Sequence, residues 1–268
     1  LSTAGVERTI AHFVRAARLA QDAGYDGIEV MGSEGYLINQ FLATRTNRRR
    51  DRWGGAFIHR MQLPVQIVQQ MRAALGPEFI IVYRLSILDL VESGCGFDEV
   101  LQLAKAIEAA GASIINSGIG WHEARVPTIA TMVPRAAFAW VTQKVKAAVQ
   151  LPIVASNRIN DPQVAEEILA SGQADMISMA RPLLADAHFV TKAERQRPEE
   201  INTCIACNQA CLDNIFSRKI VSCLVNPLAC YETKLQIEPT HQSKQVAVVG
   251  AGPAGMVAAV TAHDRGHQ

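Results

Sequence analysis

Apolar residues recur at helical spacing from Val6 to Ala23 (Ile10, Phe13, Val14, Ala17, Leu19, Ala20) and stop at Gly24, a residue that closes helix C-termini without strain. A strand is expected at once, Asp26 to Met31 with Ile28 and Val30, and the alternation then repeats. The pattern predicts a helix over Phe57 to Leu75, a strand over Phe79 to Leu85, a helix over Phe97 to Ala110 and a strand over Ser113 to Ser117. Two further units follow: helix Ala136 to Val149 with strand Pro152 to Ser156, and helix Pro162 to Ala170 with strand Asp175 to Met179.

Several of these strands (FIIVY, SIIN, PIVA, MISM) are apolar over nearly their whole length, as parallel strands covered on both faces are. An α/β chain of this kind forms either a doubly wound sheet or an eight-stranded barrel. The barrel is favoured because polar residues follow the C-terminal ends of all five strands, where barrel enzymes place their chemistry. They are Tyr36, Arg84, His122, Asn157 with Arg158, and Arg181. Residues 1–190 are therefore expected to be the C-terminal five strands of a TIM (β/α)8 barrel, with the remaining strands upstream of Leu1.

Beyond Arg181 the periodicity stops, and residues 191–240 carry five of the six cysteines. A polar linker, Glu238 to Gln245, leads to VAVVGAGPAGMVAAVTAHDRGH, which reads as strand, glycine turn and helix. Residues 241–268 are expected to open a Rossmann-like domain. The first residue is Leu1, not Met, and the last segment stops soon after its glycine turn, so both ends are expected to be truncations.

Charge adds an exclusion. Twenty-six Lys plus Arg against twenty-five Asp plus Glu leave +1, so no overall field favours nucleic acid or an anionic membrane. No apolar run approaches the roughly 18 to 20 residues of a membrane helix and no signal-peptide pattern opens the chain, so a cytoplasmic protein is expected.

Cys204, Cys207, Cys211 and Cys223 follow the spacing C-x2-C-x3-C-x11-C, three thiols on a short loop and a fourth from a nearby turn. Zinc sites more often use two separated C-x2-C pairs, so the third close cysteine favours an iron-sulfur cluster over zinc. Cys230 and Cys95 fall outside the pattern and read as idle thiols. Gly250, Gly252 and Gly255 form G-x-G-x-x-G between the expected strand Gln245 to Val249 and a helix, where backbone N–H groups can meet a pyrophosphate.

Arg84 reads either as the partner of a carboxylate at the barrel rim or as the contact of an anionic cofactor. Arg181, in Met-Ala-Arg-Pro after the last strand, stands where such barrels bind phosphate. Tyr36 in GSEGYLINQFL and His122 in GIGWHEAR are candidates for proton transfer, though spacing alone leaves a packing role open. The basic run Arg45 to Arg52 reads either as a solvated loop with internal ion pairs or as a site for a phosphorylated substrate arm.

Together GSEGYLINQFL, RTNxRxDxWGG, GWHEARVPTIA, SNRINDP, ADMISMARP, the cysteine array and VVGAGPAG resemble, over the whole chain, the bacterial-type NADPH-dependent 2,4-dienoyl-CoA reductases. These are iron-sulfur flavoproteins related to old yellow enzyme, trimethylamine dehydrogenase and enoate reductases. The resemblance implies FMN in the barrel, FAD in the Rossmann-like domain, a 4Fe-4S cluster on Cys204, Cys207, Cys211 and Cys223, and NADPH as electron donor. It implies that Arg84 and Arg158 contact FMN, that Ala180, Arg181 and Pro182 hold its phosphate, and that Tyr36 and His122 deliver the proton. Thr46, Asn47, Arg48 and Arg49, with Glu123, Ala124, Arg125 and Val126, would line an acyl-CoA channel. The activity implied is reduction of 2,4-dienoyl-CoA in fatty-acid β-oxidation; a related reductase or amine dehydrogenase with a non-CoA substrate is the alternative.

Overall fold

Helix α1 (Thr3–Asp22) starts where the Ser2 side chain accepts a hydrogen bond from the Gly5 N–H, the usual answer to the unpaired donors of a first turn. It opens a computed structural model that describes Leu1–Gln268 and divides into two units, Leu1–Cys207 and Asn208–Gln268. The first unit continues with β1 (Gly27–Gly32), α2 (Leu37–Leu42), α3 (Phe57–Arg60), α4 (Gln62–Leu75), β2 (Ile80–Leu88), α5 (Phe97–Ala109) and β3 (Ile114–Ile119). It ends with α6 (Ala139–Lys146), β4 (Ile153–Ala155), α7 (Pro162–Ala170), β5 (Met176–Ile177), α8 (Arg181–Ala185) and α9 (Phe189–Glu194).

The five strands form one parallel sheet in the order β1-β2-β3-β4-β5. A doubly wound sheet reverses its order at a switch point; this one does not, so its topology is that of a barrel wall. Side chains on the sheet support this. Asn116 Nδ2 donates to Glu29 Oε1 at 2.8 Å and Ser178 Oγ donates to Asn116 Oδ1 at 3.4 Å, linking β1, β3 and the end of β5 while skipping the even strands. Layers drawn from alternate strands are how barrel interiors are filled.

On the other face of β2, Ile81, Tyr83, Leu85 and Ile87 are fully buried in a core shared with Leu63, Ile67, Val68, Leu103 and Ile107 of α4 and α5. The expectation of strands covered on both faces is thus corrected, because Glu29, Val82 and Arg84 on the opposite face stay partly open. The expected helix Phe57 to Leu75 is broken at Met61. Proline explains this: Pro64 has no N–H for the Arg60 carbonyl that a continuous helix would pair with it. Strands β4 and β5 are shorter than expected, each pairing over two residues at their shared edge before the chain turns away.

One guanidinium ties the base of the sheet together. Arg72 donates to the carbonyls of Gly111, Gly76, Pro77 and Phe79 and to Ser113 Oγ at 2.6 to 3.1 Å. Arg72→Met keeps the apolar stem but leaves these acceptors without their donor, and is expected to lower stability by about 3 kcal/mol. Urea unfolding of parent and variant measures it.

In the second unit a π-helical turn (Gln209–Asp213) runs into α10 (Asn214–Phe216), and α11 (Pro253–Asp264) follows the glycine turn. The expected strand Gln245 to Val249 does not form a ladder. Its pairing is confined to Val246 N–H to Gln268 O at 2.7 Å and Gln268 N–H to Lys244 O at 2.9 Å, the first rungs of a parallel pair. A strand exists only through its neighbours, and one residue offers only these bonds. No helix in the chain is long and apolar enough to cross a membrane.

Candidate active site

The loops after the C-terminal ends of the strands surround a cleft of about 580 Å³. From β1 the chain turns through Glu34 and Gly35, both left-handed (φ 55° and 81°), into Tyr36, the N-cap of α2. From β3, the Gly120 N–H bonds the Leu88 carbonyl at 2.7 Å and the Trp121 N–H bonds that of Asp89 at 3.0 Å, which fixes where His122 begins its loop. Tyr36 Oη and His122 Nε2 then lie 2.9 Å apart with their rings edge-on, 5.2 Å between centroids. Tyr36 is half exposed, so the pair opens to solvent.

Arg84, Arg158, Ala180, Arg181 and Pro182 line the same cleft as His122. Arg84 has the carboxylate partner that one reading of the sequence foresaw, Glu34, at 2.9 Å. Arg158 follows Asn157 in a left-handed turn (φ 57° and 68°) at the end of β4 and donates to the Val133 carbonyl at 2.8 Å. Burial and then the neighbouring Arg181 push its guanidinium below the usual value. Arg181 donates to the Ile129 carbonyl at 3.0 Å. Asn160, almost wholly buried on the cleft wall, donates to the Cys204 carbonyl at 2.7 Å while its Oδ1 has no partner. Thr131 Oγ1 donates to the Ile205 carbonyl at 2.6 Å, so two cleft loops hold the segment that begins the cysteine array.

Residues 1–200 match the model of the NADH:flavin oxidoreductase / NADH oxidase family. The chain belongs to that family. FMN is the flavin that membership implies. Among curated proteins, the chain is 43% identical to a metal reductase of Desulforamulus reducens over 263 residues, 98% of this chain and 39% of that protein. It is 31% identical to a cinnamate reductase of Clostridium sporogenes over 287 residues, covering all of this chain and 43% of that one. Among solved structures, a 2-naphthoyl-CoA reductase in complex with 2-naphthoyl-CoA matches with a TM-score of 0.95 and 37% identity, over 98% of this chain and 40% of that one. The chain thus spans about two fifths of the length of these relatives.

In this member of the family the basic loop divides by role. Asn47 donates to the carbonyls of Phe41 and Trp53 at 2.6 and 2.8 Å and accepts the Arg49 N–H, and Thr46 Oγ1 donates to the Gln40 carbonyl at 2.7 Å. Arg49 grips Asp51 (2.9 Å from Nε) and the Leu1 carbonyl. The Arg49 guanidinium, with Thr3 and the Trp53 N–H, holds the Asp51 carboxyl far below the usual carboxylate range. Arg52 pairs with Glu7 and stacks on Trp53. Arg45, Arg48 and Arg50 are exposed and make no ion pair. None of residues 46–49 lines the cleft, and of residues 123–126 only Ala124 and Val126 do.

Cys204 and Cys207 lie at the end of the first unit, Cys211 and Cys223 in the second; all four are half-buried and none is in a disulfide. Within neither unit are three metal-ligating side chains gathered as an ion needs. Around the glycine turn, Gly250 is left-handed (φ 112°) and a Cβ on Gly255 would strike the Gly250 carbonyl at 2.0 Å, so neither position accepts a side chain. No local pattern marks the roles of Glu34, Asn116, Asn160 or Asp89, which depend on partners from distant segments. Glu34, inside the Tyr36 motif, and Asn160, in SNRINDP two residues after Arg158, stand close to candidate residues.

Proposed function

We propose that the chain is the flavin-binding part of a reductase that saturates a carbon–carbon double bond conjugated to a carbonyl group. The observation that carries this reading is the Tyr36–His122 hydrogen bond at a cleft walled by Arg84, Arg158 and Arg181. The cleft residues fit FMN. A phosphate held by Arg181 would offset the positive charge that, after burial, lowers the Arg158 guanidinium, and the orphan Oδ1 of Asn160 can accept a hydroxyl donor. Arg84 and Arg158 would contact the flavin, and Ala180, Arg181 and Pro182 its phosphate. Bound FMN supplies the two-electron donor that such reductions need.

This chain's own residues handle the proton and the charge. Negative charge gathering on the substrate carbonyl oxygen needs donors in a partly dry site, and the resulting enolate needs a proton on carbon, at the position alpha to the carbonyl in a simple enoate. Tyr36 gives that proton from Oη, and His122, bonded to the same atom, lowers the cost of the phenolate left behind.

The four cysteines supply a thiolate donor set suited to a 4Fe-4S cluster, which provides one-electron transfer, and the left-handed Gly250 beside the crowded Gly255 suits the pyrophosphate of FAD. NADPH as the ultimate donor follows from the resemblance.

For the substrate, an acyl-CoA thioester such as a 2,4-dienoyl-CoA is supported by the unpaired Arg45, Arg48 and Arg50 and by the CoA ester bound in the naphthoyl-CoA reductase. The second reading, a free enoate or other non-CoA substrate, is favoured by the similarity to a cinnamate reductase. Kinetics of the full-length enzyme separate them. Neutralising Arg45 and Arg48 with Gln is expected to raise KM for the CoA ester roughly tenfold or more, and to leave a truncated thioester unaffected, since a charge-assisted contact to phosphate contributes about 1.5 to 3 kcal/mol. Turnover of cinnamate at a higher kcat/KM than any CoA ester would establish the second reading.

A further inference from the structure

Tyr36 and His122 are 86 residues apart on separate loops, both open to solvent, and nothing in the pair itself fixes their 2.9 Å contact. The geometry points to Asp89, acting with Asn39, as the positioning residue of this pair; the inference rests on the proton-delivery role proposed above and deepens it.

Asp89 follows β2, between the two loops, and is only 3% exposed. It makes no ion pair, so its charge is met by hydrogen bonds alone. Oδ1 accepts from Asn39 Nδ2 at 3.2 Å and from Ser86 Oγ at 2.6 Å, and Oδ2 accepts from the Cys95 N–H at 2.7 Å. Asn39, fully buried in α2, turns its Oδ1 to the Gly35 N–H at 2.9 Å, one residue before Tyr36. The main-chain carbonyl of Asp89 accepts the Trp121 N–H at 3.0 Å, one residue before His122. One residue of the middle loop therefore holds the residue preceding each member of the pair.

Trp121 closes the arrangement. Its ring covers Gly35, where a Cβ would come within 2.8 Å of it, and Gly35 is left-handed (φ 81°), so only glycine lets the two loops meet. A buried carboxylate without a cation is costly to retain unless its donors are aimed at it, and an apolar residue would fill the same space at no such cost. The cost is offset here by a two-sided acceptor that fixes Asn39, and through it Gly35 and Tyr36.

Asp89→Asn keeps the shape but replaces one acceptor oxygen with an NH2 that faces N–H donors. A misplacement of this order should slow protonation between about tenfold and a hundredfold while leaving substrate affinity and flavin content as they are. The test is a double-mutant cycle in the full-length enzyme, with Asp89→Asn, Tyr36→Phe and the pair, reading the rate at which reduced enzyme is reoxidised by a conjugated substrate. Asp89→Asn should be slow in the parent background and without further effect in Tyr36→Phe. Equal slowing in both backgrounds would overturn the positioning role while leaving Tyr36 as the acid.

A second readout does not depend on catalysis. With tyrosines labelled at 13Cζ, the Tyr36 resonance, identified by its loss in Tyr36→Phe, should move in Asp89→Asn and in Asn39→Ser, which removes the Gly35 anchor but spares the bonds from Ser86 and Cys95. A resonance unmoved in both variants overturns the inference even if Tyr36→Phe is itself inactive. A parental rate in Tyr36→Phe with a moved resonance instead supports the positioning and overturns the proton-delivery reading.

Discussion

Serine at Cys204, Cys207, Cys211 or Cys223 should remove iron and sulfide from anaerobically prepared full-length protein, together with the broad absorbance near roughly 400 nm of thiolate-bound iron. Flavin content should be unchanged. Serine at Cys230 or Cys95 should change none of these. The six thiols differ in environment and spacing. Burial, and then the neighbouring carboxylates Asp89 and Glu99, push the Cys95 thiol well above its usual range, which disfavours the thiolate there. Cys230 is exposed and left-handed (φ 64°), outside the C-x2-C-x3-C-x11-C pattern. The other four are half-buried and outside any disulfide. Stoichiometric zinc without iron would mean a structural metal, and electron supply to the flavin would then need another carrier.

The alternation of β1 to β5 with α1, α4, α5, α6 and α7 was legible because each of these rests on local pattern, whereas the short helices α2, α8 and α9 carry too few residues to show a period. Apolar periodicity marks α1, α4 and α5, Ser2 and Asp161 stand at helix starts, and Pro162 opens α7. Where pattern alone could not decide, long-range partners did. The segment before Gly250 has the composition of a strand, yet it meets only Gln268. The basic run looked uniform in sequence, yet Asn47, Arg49 and Arg52 serve the loop itself while Arg45, Arg48 and Arg50 face solvent. Arg84 reads as a carboxylate partner or, more readily, as a cofactor contact; the Glu34 pair satisfies the first, and its place on the cleft wall leaves the second for experiment. Tyr36 and His122 were legible as residues from their motifs. Their contact, and the Asp89 junction beneath it, arise only when three successive βα loops converge.

Tyr36→Phe should slow reduction of the conjugated substrate by about a hundredfold to ten-thousandfold, the usual range for loss of a general acid. The variant removes one oxygen, the atom 2.9 Å from His122 Nε2, from a half-exposed side chain, so folding and flavin content should be those of the parent. A phenol is a weak acid near neutrality but is matched to an enolate more basic than itself, and solvent water can replace it only slowly and without control of position. His122→Ala should have a smaller effect in the same step, since it leaves the donor and removes its support. Reduction of the flavin by the electron donor precedes this proton transfer and should not change. Anaerobic stopped-flow mixing of fully reduced full-length enzyme with the conjugated substrate, with product analysis, tests this most directly. The account predicts a slow reoxidation phase in Tyr36→Phe, a product with altered double-bond position, or both; a parental rate and parental product in both Tyr36→Phe and His122→Ala would contradict it.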